Sequence, residues 1–444
     1  MSSPDETNSS DSPDPHRGNT KWLMAQIFLR YGTEKLRFDY DPGRFTVLAA
    51  AEDQPALTDL ELGTRLDSPI GKGTIEDLVA PDDSVLLVVP DATRKAGAGQ
   101  VVNLLVRRLI ANGTAPFNIS IIFATAIHRL TTEQEKAEIV TPFIAQRIKM
   151  FDHDPRNLMG LVKLGETSDG TPIELNRLLA ESGHVIIVGG VGFHYFAGFS
   201  GGRKLICPGL ASARTATGTH KLAFDCGTRD RRKGVGPAML DGNAVHTAFL
   251  EAAARVPVSF AVNTIVNDDG AITDIYCGDP VLAHRAACAA YASKHTITVP
   301  EVRENVIVGC GGHPHDINLI QAHKALVAAA EICQPGGEIV LIADCPDGPG
   351  RSDFLQWFDA GSSNILADRL CESYKVNGQT AWSLMRITER YKVSILTSLD
   401  SETCGRVGMK TLRGIDDLAA AGNSGTGYIL PAGAKYLYRS SGDA

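Results

Sequence analysis

No stretch of the 444 residues is apolar for long enough to span a bilayer, so no membrane partner is expected. A basic excess is missing too: 43 Lys and Arg face 51 Asp and Glu, for a net charge of -8. Nothing in that balance would displace phosphate counterions, which argues against a nucleic-acid partner. The nine cysteines show no C-x-x-C spacing. That excludes a zinc knuckle and predicts reduced thiols in a cytoplasmic protein, not a disulfide framework. The histidines never recur at i, i+4, so the helical zinc-hydrolase pattern is absent. Residues 1–20 are rich in Ser, Asp and Pro and have no apolar h-region, so they predict a disordered tail and not a signal peptide. The two halves of the chain show no internal repeat.

What is present reads as two α/β domains, each with a mainly parallel sheet flanked by helices. The chain is too long for one ordinary core. Trp22–Arg30 and Leu36–Tyr40 predict a hairpin, and Phe45–Ala50 a third strand. Ser84–Pro90, Ile119–Ala124 and His184–Val191 are nearly continuous apolar runs, the mark of strands covered on both faces. Helical spacing follows the first of these, and Thr132 with Glu135 makes a capping box. Asn267-Asp268-Asp269-Gly270 joins two further strands as a hairpin. The pattern restarts near Thr296, where the domain boundary is placed. The first domain is then 21–295 and the second 296–425, with a strand at Asn305–Cys310 and a helix over Ile317–Cys333.

Three loops of the first half share one plan, a buried strand followed by reactive residues and a helix. They supply Asp91, Thr93 and Arg94; His128 and Arg129; and the stretch from His194 to His220. Parallel strands bring such loops together at one edge of the sheet, where open α/β folds place their sites. The three histidines suit acid/base work or metal ligation. Arg94 and Lys324 suit a carboxylate grip. Gly198 to Lys204, with Gly201 and Gly202, resembles a phosphate loop but puts Arg203 where the Walker pattern wants Gly. An anion nest leading into a helix is the corresponding expectation. Cys207 lies between Ile206 and Pro208, which favours packing over nucleophilic chemistry. His16, His153 and His284 carry no functional reading.

These residues resemble the lactate racemase family, the nickel-pincer-nucleotide racemases and epimerases of 2-hydroxyacids. The resemblance rests on Asp91-x-Thr-Arg94, Ala124-Thr-x-x-His128-Arg, His194-x-x-x-Gly-x-Ser-Gly-Gly-Arg-Lys204-x-x-x-Pro-Gly, His220, and Asp316-Ile-Asn-Leu-x-Gln321-Ala-x-Lys324. It implies an active site in the cleft between the two domains. It implies that Lys204 carries the cofactor, pyridinium-3,5-bisthiocarboxylic acid mononucleotide nickel, covalently, with His220 as the protein's nickel ligand. His128 and His194 would be the paired acid/base residues, and Asp91, Thr93, Gly201 and Gly202 further cofactor contacts. Arg94, Lys324, Gln321 and Trp382 would hold the substrate. Cofactor biosynthesis enzymes would be partners. The C-terminal segment, about 426–444, would pack back on the first domain. Ala126 stands where the family often has Gly, Ala197 where it has a small hydroxyl residue, and Ile320 where an aromatic precedes the glutamine. The last two point to a hydroxyacid or sugar acid larger than lactate. Two other classes stay open on the residues alone. One is a metal-dependent dehydratase or hydrolase ligated by His128, His194 and His220, and the other a non-catalytic nucleotide or metal carrier.

Overall fold

The structure, a computed structural model, describes residues 24–49, 54–420 and 425–441. The expected tail at 1–20, His16 and Trp22 lie outside the described residues. Among them no helix is long and apolar enough to cross a membrane.

The first sheet has six strands in the order Ile272–Gly278, Val258–Val266, His184–Gly190, Val85–Pro90, Ile119–Ala124, Lys149–Asp152. All pairs are parallel except the first, which is the hairpin closed by Asn267–Gly270. Alternate residues of a strand face opposite ways. Val85, Leu87 and Val89 therefore meet Val101, Leu105 and Leu109 of the helix Ala98–Ala111, while Leu86 and Val88 face Phe196, Leu205 and Phe249. Both faces are dry, which is why the strand reads as an unbroken apolar run.

The second sheet is wholly parallel, in the order Lys410–Leu412, Lys392–Leu396, Cys333–Ile342, Arg303–Gly309, Gly427–Leu430, Phe45–Val47. Its last strand corrects the expected boundary. Phe45–Val47 pairs with Gly427–Leu430, and the hairpin Ala25–Tyr31 with Glu34–Tyr40 lies on the same sheet. Leu29, Phe38 and Phe45 cover Ile307, Val340 and Ile342, a sheet face to which the 296–425 segment brings only the short helix Ile415–Ala420, through Ile415 and Leu418. Burying such side chains contributes about 1.5–3 kcal/mol apiece, so residues 25–47 go where that face is. Asp316 seals the join: its Oδ2 accepts from the Gly32 N–H at 2.7 Å and the Asp344 N–H at 3.3 Å.

The C-terminal segment also differs from expectation. Gly427–Leu430 is an internal strand of the second sheet, and Leu437–Ser440 pairs with Thr296–Val299 at the junction. Contact with the first unit is made by the Lys435 carbonyl, which accepts from the Tyr291 hydroxyl at 2.7 Å, and by the Lys435–Asp268 ion pair.

One cysteine pair overturns the all-thiol reading. Cys226 and Cys371, 145 residues apart, form a disulfide between the two units. Around it Arg229 meets Asp368 at 2.5 Å, Arg386 pairs with Asp230, and Phe224 packs edge-on against Trp382 at 5.0 Å. The other seven cysteines are free and buried.

Several histidines are buried as neutral rings. Burial pushes His284 down to about 3, and His295 and His323 to about 4, from an ordinary 6.5. In the unfolded chain these rings take up protons first as pH falls. Stability that is intact well above pH 6.5 is therefore lost below it, by about 2 kcal/mol per ring at pH 5. Thermal unfolding at about pH 5 is expected at a markedly lower midpoint than at about pH 8, with roughly 6 kcal/mol at stake. A midpoint unchanged over that range would contradict the neutral burial of these rings.

Candidate active site

The strands His184–Gly190, Val85–Pro90 and Ile119–Ala124 are neighbours, so their carboxyl ends open side by side. They deliver His194, Asp91 to Arg94, and His128 into one cavity of about 730 Å³. Its opposite wall comes from the second unit, chiefly Gln321 and Lys324 of the helix Leu319–Ala330. Asn318 starts that helix by accepting from the Gln321 N–H at 3.0 Å.

Asp91 is the fixed point. Its Oδ2 lies 2.7 Å from His128 Nδ1, and its Oδ1 accepts from the Thr93 hydroxyl at 2.6 Å and the Thr93 N–H at 3.1 Å. Burial alone would raise this carboxyl, but the His128 ring and then Arg94 hold it down to about 2. An ionised Asp91 keeps the His128 proton on Nδ1 and leaves Nε2 as the basic nitrogen. His194 is set differently. Its Nδ1 accepts from the Ala197 N–H at 3.3 Å, and its ring stacks on Tyr195 and meets the edge of Phe196. Burial, then the charges of Lys204, Lys324 and Arg94, push its pKa well below the ordinary range.

Gln321 ties the two units together at the site. Its Oε1 accepts from Lys324 Nζ at 2.6 Å and from Arg94 Nη1 at 3.3 Å. Arg94 also donates to the Thr93 carbonyl at 2.9 Å. A guanidinium and an amine thus converge with no carboxylate between them. Burial, then Arg94, pushes the Lys324 amine well below its usual range, so an incoming carboxylate would restore its charge.

Lys204 and His220 share a collar of Phe196 and Phe249. Lys204 Nζ is 5.6 and 5.7 Å from the two ring centres, and the His220 ring is 5.1 and 5.6 Å from them. Burial, then Arg203, Arg94 and Lys324, push the Lys204 amine well below its usual range. His220 Nδ1 lies 2.6 Å from the Ala216 carbonyl of its own helix, Ala213–Lys221, which leaves Nε2 as the nitrogen with a free lone pair.

Three expectations change. Trp382 does not line the cavity; its helix, Val376–Arg390, turns it onto Phe224 and Arg386, while Asn377 and Thr380 of the same helix do line it. Gly201 lines the cavity, but Gly202 serves the turn: its φ is +51°, and a Cβ there would stand 2.6 Å from the His284 ring. No helix N-terminus follows the glycines. Gly202–Leu205 is a single 3-10 turn, and Arg203 points inward to the Ala197 carbonyl at 2.7 Å and His284 at 3.1 Å, so the anion-nest reading is lost. Cys207 is buried, its thiol pushed up to about 12, in keeping with packing. Tyr195 and His323 line the cavity and were not foreseen; His315, which with His313 flanks a proline and reads from the sequence equally as second-domain loop chemistry or a polar turn, lines it too. The signal for His315 was its place at the end of the strand Arg303–Gly309.

Among the described residues no three His, Cys, Asp or Glu side chains cluster as a metal cage. His128, His194 and His220 therefore do not make the ligand set that a metal hydrolase or dehydratase needs.

Two family models match, the lactate racemase N-terminal domain over residues 31–230 and the lactate racemase C-terminal domain over 299–427. The chain belongs to the lactate racemase family. Membership makes it a racemase-type isomerase. It is 28% identical over 383 residues to the lactate racemase of Thermoanaerobacterium thermosaccharolyticum, covering 84% of this chain and 88% of that one. With the lactate racemase of Lactiplantibacillus plantarum it shares 30% over 291 residues, covering 65% and 66%. The solved apoprotein structure of the Thermoanaerobacterium lactate racemase superposes with a TM-score of 0.84 at 26% identity, over 94% of this chain and all of that one. A Thermotoga maritima protein shares the fold, with a TM-score of 0.68 at 19% identity over 88% of this chain and all of that one.

Within this lactate racemase framework Ala126 is a strained substitution. It holds φ at +51° in the turn that presents His128, with its N–H on the Gly209 carbonyl at 2.8 Å. An L-residue there costs about 1–2 kcal/mol, against about 0.5–1 kcal/mol of extra chain entropy for glycine. Ala126→Gly is expected to raise the thermal midpoint by about 1–2 °C, and Ala126→Val to lower it by more. The reverse order would remove the strain argument.

Proposed function

We propose that this protein inverts the C2 stereocentre of a 2-hydroxyacid, with His128 and His194 as the acid/base pair. Strand order carries the reading. Val85–Pro90, which leads to Arg94, lies between the strands that lead to His128 and His194. A carboxylate gripped by Arg94 and Lys324 then has an imidazole delivered from either side, as inversion requires.

A nickel-pincer nucleotide fits the residues present. Lys204 would carry it, because its amine has only aromatic rings and other cations about it and is held neutral by burial. His220 would ligate the nickel through Nε2; its ring, pushed down to about 3 by burial, stays neutral at working pH. Asp91, Thr93 and Gly201 would form part of its surroundings. When bound, the group supplies a pyridinium ring that accepts and returns a hydride, so that the weakly acidic α-hydrogen need not leave as a proton.

The protein's own part is positional. Arg94 and Lys324, joined through Gln321, orient the carboxylate. His128, locked by Asp91, takes or returns the C2 hydroxyl proton at Nε2, and His194 does so for the opposite hand. The helix Leu319–Ala330 covers the cleft and limits water. Ile320, on the cavity wall, leaves room for a substrate larger than lactate, a bulkier hydroxyacid or sugar acid, whereas Ala197 is buried in the core and does not line the cavity. Seven free thiols against one disulfide favour a cytoplasmic setting, where cofactor biosynthesis enzymes would load the protein.

The test is intact-protein mass spectrometry after co-expression with pincer biosynthesis enzymes, followed by a panel of chiral 2-hydroxyacids. An adduct on Lys204 with loss of optical purity is expected. A racemising preparation with unmodified Lys204 would sink the reading.

A further inference from the structure

The main cavity does not end at the histidines. A second chamber of about 560 Å³ continues from it, and Ile127, Arg156, Arg351, Val376 and Asn377 line both. Ile127 immediately precedes His128, so the annex opens beside that residue. Its wall holds four cations, Arg156, Arg351, Arg369 and Lys375, against one carboxylate, Asp353. Asp353 is already engaged, accepting from Arg351 Nε at 3.1 Å and from Asn377 Nδ2 at 3.1 Å. Arg156, Arg369 and Lys375 have no ion pair among the described residues. The Trp357 indole N–H on the same wall is buried without an acceptor. A concave surface of one sign concentrates its field far more than the same charges on a convex one. Free guanidinium forks beside an unsatisfied N–H are a donor set for an anion.

We propose that this annex is an anion subsite, and that it takes a second acidic group, carboxylate or phosphate, at the far end of the hydroxyacid. The proposal rests on the racemase reading and adds the substrate class: a 2-hydroxyacid with a distal anion. The phosphate of a nucleotide cofactor has the same chemistry. The substrate is favoured because neither Lys204 nor His220 lines the annex, whereas Ile127 does.

Binding tests this without turnover. Protein made without the cofactor is titrated calorimetrically, at low salt, with 2-hydroxydicarboxylates of increasing length and with monocarboxylates of matching length. At one length the dicarboxylate is expected to bind roughly tenfold tighter or better. In the combined variant R156Q, R369Q and K375Q that ratio falls to near one, with an unchanged circular dichroism spectrum checking the fold. A ratio near one at every length in the parent protein, or a ratio that survives the variant, overturns the subsite. Nicotinic acid mononucleotide is the third probe. If the variant loses affinity for it while the dicarboxylate ratio stands, the annex belongs to the nucleotide phosphate and the proposal fails. Should the racemase reading fail instead, no hydroxyacid is turned over, yet the binding ratio and its loss in the variant persist.

Discussion

If His128 and His194 are the proposed acid/base pair, His128→Ala and His194→Ala are each expected to lower kcat/KM by about two to four orders of magnitude, by equal factors in both directions for a substrate with one stereocentre. The size follows from removing one of two positioned proton carriers. The equality follows from thermodynamics, since enantiomers have the same free energy and no catalyst can slow one direction alone. Optical rotation from each pure enantiomer measures both. The two rings differ in how they are held, and that difference is also testable. Asp91→Asn replaces an acceptor of the His128 Nδ1–H by a group that can donate to it, favouring the tautomer with Nε2 already protonated. The loss should approach that of His128→Ala although the side chain is nearly isosteric. His194 has only the 3.3 Å contact from the Ala197 N–H, which can be given up when Nε2 must act as base. Because burial, first of all, and then its cationic neighbours such as Arg94 lower its pKa, the acid limb due to His194 should fall below the ordinary imidazole range. Either alanine variant remaining within about tenfold of the parent would sink the pairing.

The central strands of the first sheet were legible because both of their faces are dry, and burial on both sides leaves a local signature that needs no partner to be seen. The same holds for the site. Asp91, His128 and His194 each follow such a strand, and parallel topology carries them to one edge. What the sequence hid was non-local. Nothing within residues 25–47 says that they cover Ile307 and Val340, more than 250 positions on. Nothing near Cys226 marks Cys371 as its partner. Trp382 shows a subtler limit: on a helix, rotation between neighbours decides which side chain faces the cleft, and Asn377 and Thr380 face it while Trp382 is turned into the core. The annex cations belong to four separate segments, three of them in the second unit, and only the fold assembles them.

Lys204→Arg and Lys204→Met are expected to abolish both the covalent adduct and all measurable racemisation, a loss larger than that of either histidine variant. The proposed thioamide linkage would form a C–N bond as the thiocarboxyl oxygen leaves as water, which needs an unprotonated amine, and Lys204 is kept so by burial in the Phe196–Phe249 collar and by its cationic neighbours. Arginine stays charged at any working pH and cannot form the linkage. Methionine fills the collar without an ammonium to desolvate, so Lys204→Met should be more stable than the parent apoprotein by about 1–3 kcal/mol even as activity vanishes. A gain in thermal midpoint together with complete loss of function separates this from a folding defect. His220→Ala divides the two roles at the collar: the adduct on Lys204 should still appear by mass, while nickel retained per protein falls by about tenfold or more. Nickel held equally by parent and His220→Ala would remove His220 from the metal's ligands. An adduct on any residue other than Lys204 would overturn the assignment of the attachment site.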